Sequence, residues 1–120
     1  MAVVAIRGAT TVEFNSSDSI LESTKELLIE IENKNKLDKD RVISIIFSCT
    51  SDLNKEYPAK AARQLGYLHC ALMCFNEMFV EGSINKCIRV MVLYDSDNLV
   101  QKDIKHVYLK NAKVLRPDLS

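Results

Sequence analysis

An α/β fold of the α+β kind, a small mixed β-sheet with helices packed against it, is what this sequence predicts. Three observations carry the prediction. Apolar, β-branched runs alternate with two helix-like segments in the order β-α-β-α-β-β, followed by an ambiguous end. Strands interleaved with helices build a sheet covered by those helices. The 120 residues amount to one domain, residues 1–120, with 115–120 as a tail. Hydrophobic residues make up 48% of the chain against only 3 glycines and 2 prolines, the composition of a packed chain and not of a disordered one.

The elements follow in order. AVVAIR (2–7) is a short buried strand, and its place at the start ties the N-terminus into a sheet. After a polar break at 15–19, Ser19 and Glu22 form a capping box. Ile20, Leu21, Leu27, Leu28 and Ile31 then recur near the helical period, which predicts a helix over 20–33. VISIIFS (42–48) is uncharged and β-branched, hence a central strand. Pro58 suits the first turn of a helix that AKAARQL continues to Gly66. LHCALMC (68–74) and KCIRVMVLY (86–94) are strands separated by a turn containing Gly82. Residues 100–115 fit either a strand followed by a helical turn or one irregular segment.

Composition excludes several functions. Sixteen basic residues balance sixteen acidic ones, so a nonspecific nucleic-acid partner is not expected. No apolar run reaches membrane-spanning length, and MAVVAIRG lacks the basic n-region of a signal peptide, so no membrane role is expected either. Four cysteines with no leader read as reduced thiols in a cytoplasmic protein. Cys70 and Cys74 have no second close pair, and His69 and His106 are isolated, so no metal site is expected. P-loop, GxGxxG, GxSxG, HExxH and CxxC motifs are absent, and no cofactor is expected. Zero net charge and high apolar content point to surface hidden by self-association.

The informative charges sit on apolar strands. Arg7 ends the first, Arg89 lies inside CIRVMV, and Glu77 lies in the break before it. Lys60 and Arg63 share a helix face, and Arg116 lies in the tail. Several arginines and a lysine around one acid describe a pocket for a small anion bearing carboxylates, which arginine grips through planar, bidentate bonds. Plainer readings stand beside this one. Arg89 and Glu77 could form a salt bridge, Lys60 and Arg63 a solvated face, Cys74 and Tyr108 ordinary packing. From the residues alone the reading stops at an anion pocket on a small α/β domain.

At these same positions the sequence resembles a known family. IRGATTVE (6–13), PAKAAR (58–63), CFNEMFVEGSINKCIRV (74–90) and HVYLKNAKVLRPDL (106–119) together resemble the small homotrimeric chorismate mutases of the α/β class. The resemblance spans nearly the whole chain. It implies an isomerase that rearranges chorismate to prephenate in aromatic amino-acid biosynthesis, without cofactor or metal. It also implies a trimeric pseudo-barrel with sites between subunits. Carried over, Arg89 would bond the ether oxygen of the breaking bond, and Arg7 and Tyr108 would hold carboxylate. Glu77 and Cys74 would bind the ring hydroxyl. Tyr57, Lys60 and Arg63 would come from a neighbouring subunit, and Arg116 would close over the pocket. On this reading Glu77 and Arg89 are two walls with substrate between them. The alternatives are a trimeric imine or enamine deaminase-like enzyme and a non-catalytic module that binds a small dicarboxylate.

Overall fold

The computed structural model describes residues 2–119. Its first strand, β1 (Ala2–Thr11), runs four residues past the AVVAIR segment because Gly8 does not interrupt it. Gly8 is instead a point of close approach. A Cβ there would lie 2.9 Å from Ile31 Cδ1 and 3.0 Å from the Val107 carbonyl oxygen. The missing side chain thus lets a helix and a strand crowd β1 from two sides.

Helix α1 (Ser17–Asn35) starts three residues earlier than expected. Its cap is Ser16, not Ser19: the Ser16 Oγ accepts from Ser19 N at 3.2 Å. Ser19 is the third residue of the helix, and its own hydroxyl accepts from Phe14 N. The polar break thus belongs to the cap. At the far end Asn35 donates to the carbonyls of Ile31 and Lys105 and accepts from Lys105 N, which pins the chain just before the last strand.

Strand β2 (Val42–Cys49) matches expectation. Helix α2 (Pro58–Gln64) opens on Pro58, where the missing N–H has no helical partner to lose. Strand β3 (Ala71–Asn76) starts three residues later than LHCALMC and ends two later. It pairs in parallel with β2 only from Ser44 onward, and β2 carries a register shift between Val42 and Ser44, so residues 68–70 have no regular edge to join. Strand β4 (Cys87–Ser96) follows, and then β5 (Val107–Tyr108) and a 3-10 segment, Lys110–Leu115. The ambiguous end is therefore a strand followed by a helical turn.

The sheet order is β3-β2-β4-β1-β5, with β4 antiparallel to β1 and β2, and with β3 and β5 parallel to their neighbours. Alternation along each strand divides the side chains between two faces. Val4, Ile6, Ile45, Phe47, Ile88, Val90 and Val92 pack with Ile20, Leu27, Leu28 and Ile31 of α1 and with Ala59 and Ala62 of α2. Each fully buried large side chain there contributes about 1.5–3 kcal/mol. Neither α1 nor α2 covers the opposite face; the 3-10 segment closes only its Ala9–Cys87 corner, through Ala112. Ala5, Ile46, Met91 and Leu93 are half-buried, and Val3 and Met73 are exposed.

The second edge of β1 is closed mostly by side chains. Gln101 accepts from Ala5 N and donates to Ala5 O, His106 Nδ1 accepts from Arg7 N at 2.9 Å, and β5 takes over at Gly8 and Ala9. Among the described residues no helix is long and apolar enough to cross a membrane.

Candidate active site

The sheet face opposite α1 and α2 carries the charged residues in rows set by register. Phe75, Ser48, Arg89, Ala9 and Tyr108 form one row across all five strands. Met73, Ile46, Met91 and Arg7 form the next. Period-two alternation on β4 therefore aims Arg89 away from the helices, and the same alternation on β1 brings Arg7 alongside. Glu77 follows β3 directly, and its N–H donates to Cys49 O at 2.8 Å, which swings the carboxylate onto this face. Arg7, Ile46, Ser48, Glu77, Arg89, Val90 and Met91 line a cleft of about 280 Å³.

Within it, Glu77 and Arg89 are closer than two walls on either side of a ring. Arg89 Nε lies 3.3 Å from Glu77 Oε1, with the side chains 28% and 22% exposed. The contact is an ion pair without hydrogen-bond geometry: Arg89 Nε is buried and makes no hydrogen bond among the described residues. Glu77 Oε1 instead accepts from the Ser48 hydroxyl. A buried donor left unbonded costs about 1–3 kcal/mol. The remaining guanidinium of Arg89 keeps the side chain partly exposed to the cleft.

The other expected site residues fall into two groups. Tyr108 shares the row of Arg89 through Ala9, and its side chain reaches Arg116. Arg116 is also held in a two-bond fork by Asp118, at 3.1 and 3.0 Å. Cys74, by contrast, points to the helix side. It lines a separate cleft of about 450 Å³ with Cys49, Glu56, Tyr57 and Pro58. Cys74 and Glu77, expected at one ring hydroxyl, thus line different clefts of the same chain. Lys60 is ion-paired to Glu56 at 3.3 Å, and Arg63 is exposed on the same helix beside Cys70 and Leu72. The α2 group and the Arg89 group do not meet within one chain.

Burial sets the thiol chemistry. It pushes Cys49 up to about 12 and raises Cys74, where the Ala59 N–H and the Arg63 charge oppose the rise. Cys87 is raised by burial too, against the pull of Arg89 beside it. These thiols stay protonated at neutral pH, so they serve as weak hydrogen-bonding groups and not as nucleophiles.

Two residues escaped sequence reasoning. Ser48 passed as part of an apolar strand, although period-two alternation puts it on the face of Arg89. His106 lacked any acidic orienter, and its partner is a backbone N–H that sequence does not reveal. Its imidazole lies below the ordinary value of 6.5, through burial first and then the fields of Arg116 and Arg7. The folded chain therefore binds this proton less readily than the unfolded one. The sign follows: stability is greatest above pH 6.5, declines as pH falls through the unfolded value, and levels off below the folded one. The melting temperature is expected to drop between pH 7.5 and pH 5. His106→Asn, which keeps an acceptor for Arg7 N but cannot titrate, is expected to show a smaller drop in the same calorimetric scan. An equal drop in both proteins would remove His106 from the account.

Comparison with known proteins places the chain in a family. The family model described as chorismate mutase type I matches residues 3–119. Chorismate mutase AroH of Bacillus subtilis is 45% identical over 121 residues, covering 100% of this chain and 94% of that protein. Chorismate mutase AroH of Thermus thermophilus is 40% identical, covering 98% and 96%. The solved chorismate mutase from Clostridium thermocellum superposes with a TM-score of 0.88 at 55% identity, covering 92% of this chain and 97% of that one. With the family model matching residues 3–119 of the 120 and relatives of this identity over nearly the whole chain, the chain belongs to the chorismate mutase type I family.

Proposed function

We propose that this protein isomerises chorismate to prephenate, and that the Arg7–Glu77–Arg89 cleft is one half of its active site. The observation that carries the site assignment is the buried, unbonded Nε of Arg89 beside Arg7, in a cleft whose only lining acid is Glu77. The reaction suits these groups. The ether C–O bond breaks as a C–C bond forms within one molecule, through a cyclic shift of electrons. No proton, nucleophile or electron carrier takes part. The protein has two tasks: to hold the enolpyruvyl arm over the ring, and to stabilise the charge that separates.

Arg7 and Tyr108 hold the substrate's carboxylates, which fixes the reactive conformer and lowers the entropic part of the barrier. Arg89 donates to the ether oxygen, which gains negative charge as its bond lengthens. A donor fixed there binds the transition state more tightly than the substrate. Glu77 sits where positive charge develops on the ring and accepts from the ring hydroxyl. Arg116, next to Tyr108, closes the mouth.

The second half comes from a neighbouring copy. A sheet with α1 and α2 on one face, and Val3, Ala5, Ile46, Met73, Met91 and Leu93 uncovered on the other, supports assembly of copies through that face. Tyr57, Met73, Phe75, Met78 and Phe79 are each at least half exposed along the β3 edge and its flanks, which supports the same reading. We assign Tyr57, Lys60, Arg63 and Cys74, grouped around α2, to the wall that one copy offers the next. Three copies closing head to tail make a ring with three equivalent sites.

The test is direct. The purified protein is mixed with chorismate, the ultraviolet loss of substrate is followed, and prephenate is confirmed by its acid conversion to phenylpyruvate. Catalysed loss with prephenate formed is expected. Chorismate bound and recovered unchanged would make the protein a binding module instead.

A further inference from the structure

We propose that Ser48 is a positioning residue for the mutase reaction, holding the Glu77 carboxylate so that it does not close a fork with Arg89. The proposal rests on the site assignment above and concerns a residue outside it.

Three arginine–carboxylate pairs of this chain invite comparison. Arg41 grips Asp97 through two bonds of 2.7 and 3.0 Å. Arg116 grips Asp118 through bonds of 3.1 and 3.0 Å. Both are the bidentate forks that guanidinium and carboxylate form by preference. Arg89 and Glu77 are only slightly farther apart, with Nε 3.3 Å from Oε1, yet Nε makes no hydrogen bond. What distinguishes this pair is the hydroxyl of Ser48, which donates to that same Oε1. Ser48 stands directly opposite Arg89 in the β2–β4 register, so the hydroxyl and the guanidinium approach the carboxylate from adjacent strands. The backbone bond from Glu77 N to Cys49 O fixes the base of the side chain, and Ser48 fixes its tip.

The consequence is chemical. A carboxylate closed onto Arg89 would neutralise the charge meant for the ether oxygen and use up its own acceptors. With one oxygen engaged by Ser48, the second oxygen and the partly exposed Arg89 guanidinium remain for substrate. Alanine at position 48 removes the restraint at the cost of one small side chain.

The experiment is a double-mutant cycle on kcat and KM with chorismate: wild type, Ser48→Ala, Glu77→Ala and the double variant, with near-ultraviolet circular dichroism confirming the fold of each. Ser48→Ala is expected to lower kcat about tenfold, the worth of a hydrogen bond to a charged group, with a smaller change in KM. In the Glu77→Ala background the same change is expected to cost less than about twofold, because Ser48 acts only through Glu77. A Ser48→Ala kcat equal to wild type, or a loss that multiplies undiminished onto Glu77→Ala, would overturn the proposal. A wild-type protein that leaves chorismate unchanged would instead overturn the function on which it rests.

Discussion

Arg89→Ala is expected to lower kcat by about 10²- to 10³-fold, the loss found when a donor to a developing oxyanion is removed. The fold is expected to survive. Arg89 sits on the face opposite α1 and α2, and Glu77 keeps its bond from Ser48 when the guanidinium is gone. The melting temperature is expected to change far less than the rate. Arg89→Lys is expected to recover only part of kcat, because an ammonium is a point charge without the planar fork. Steady-state kinetics beside a thermal melt decide the matter. A folded Arg89→Ala protein with near-wild-type kcat would return Arg89 to a structural role.

Leu93→Asp is expected to have the second large effect, through assembly. Leu93 lies on β4 between Ala5 of β1 and Ser44 of β2, on the face opposite the helices. A carboxylate there meets water in a lone chain but would be buried unpaired between copies, at a cost of several kcal/mol. Sedimentation is expected to show dissociation to monomers with folded-like circular dichroism, and mutase activity is expected to vanish with the shared sites. A monomer that retained full activity would contradict the two-copy site. An unperturbed oligomer would show that this face is not where copies meet.

Much of the fold is legible in the sequence because burial and periodicity coincide. VISIIFS and CIRVMV are strands whose alternate residues meet α1, so apolar pattern and structure agree. Element ends are less legible, since they depend on partners. The α1 cap moves to Ser16 because its hydroxyl reaches Ser19 N, and several serines cluster there with nothing in the sequence to rank them. β3 starts at Ala71 because β2 offers no regular edge earlier, a fact of pairing between strands 25 or more residues apart. The site divides in the same way. Arg7, Glu77 and Arg89 were legible as charges attached to apolar strands, and the structure gathers them in one cleft. The direct contact of Glu77 with Arg89 and the restraint from Ser48 depend on cross-strand register. The family resemblance grouped Cys74 with Glu77, and three residues along a strand and its exit put the two on different faces of one chain.

The central claim is that each active site joins the Arg89 cleft of one copy to the α2 wall of another. Subunit complementation tests it most directly. Arg89→Ala and Arg63→Ala proteins are each assayed alone, then unfolded together in equal amounts, refolded and assayed again. Random assembly pairs an intact cleft with an intact wall in about a quarter of sites, half times half, so activity near a quarter of wild type is predicted from two almost inactive parents. Activity no higher than the mean of the two parents would contradict a site shared between copies.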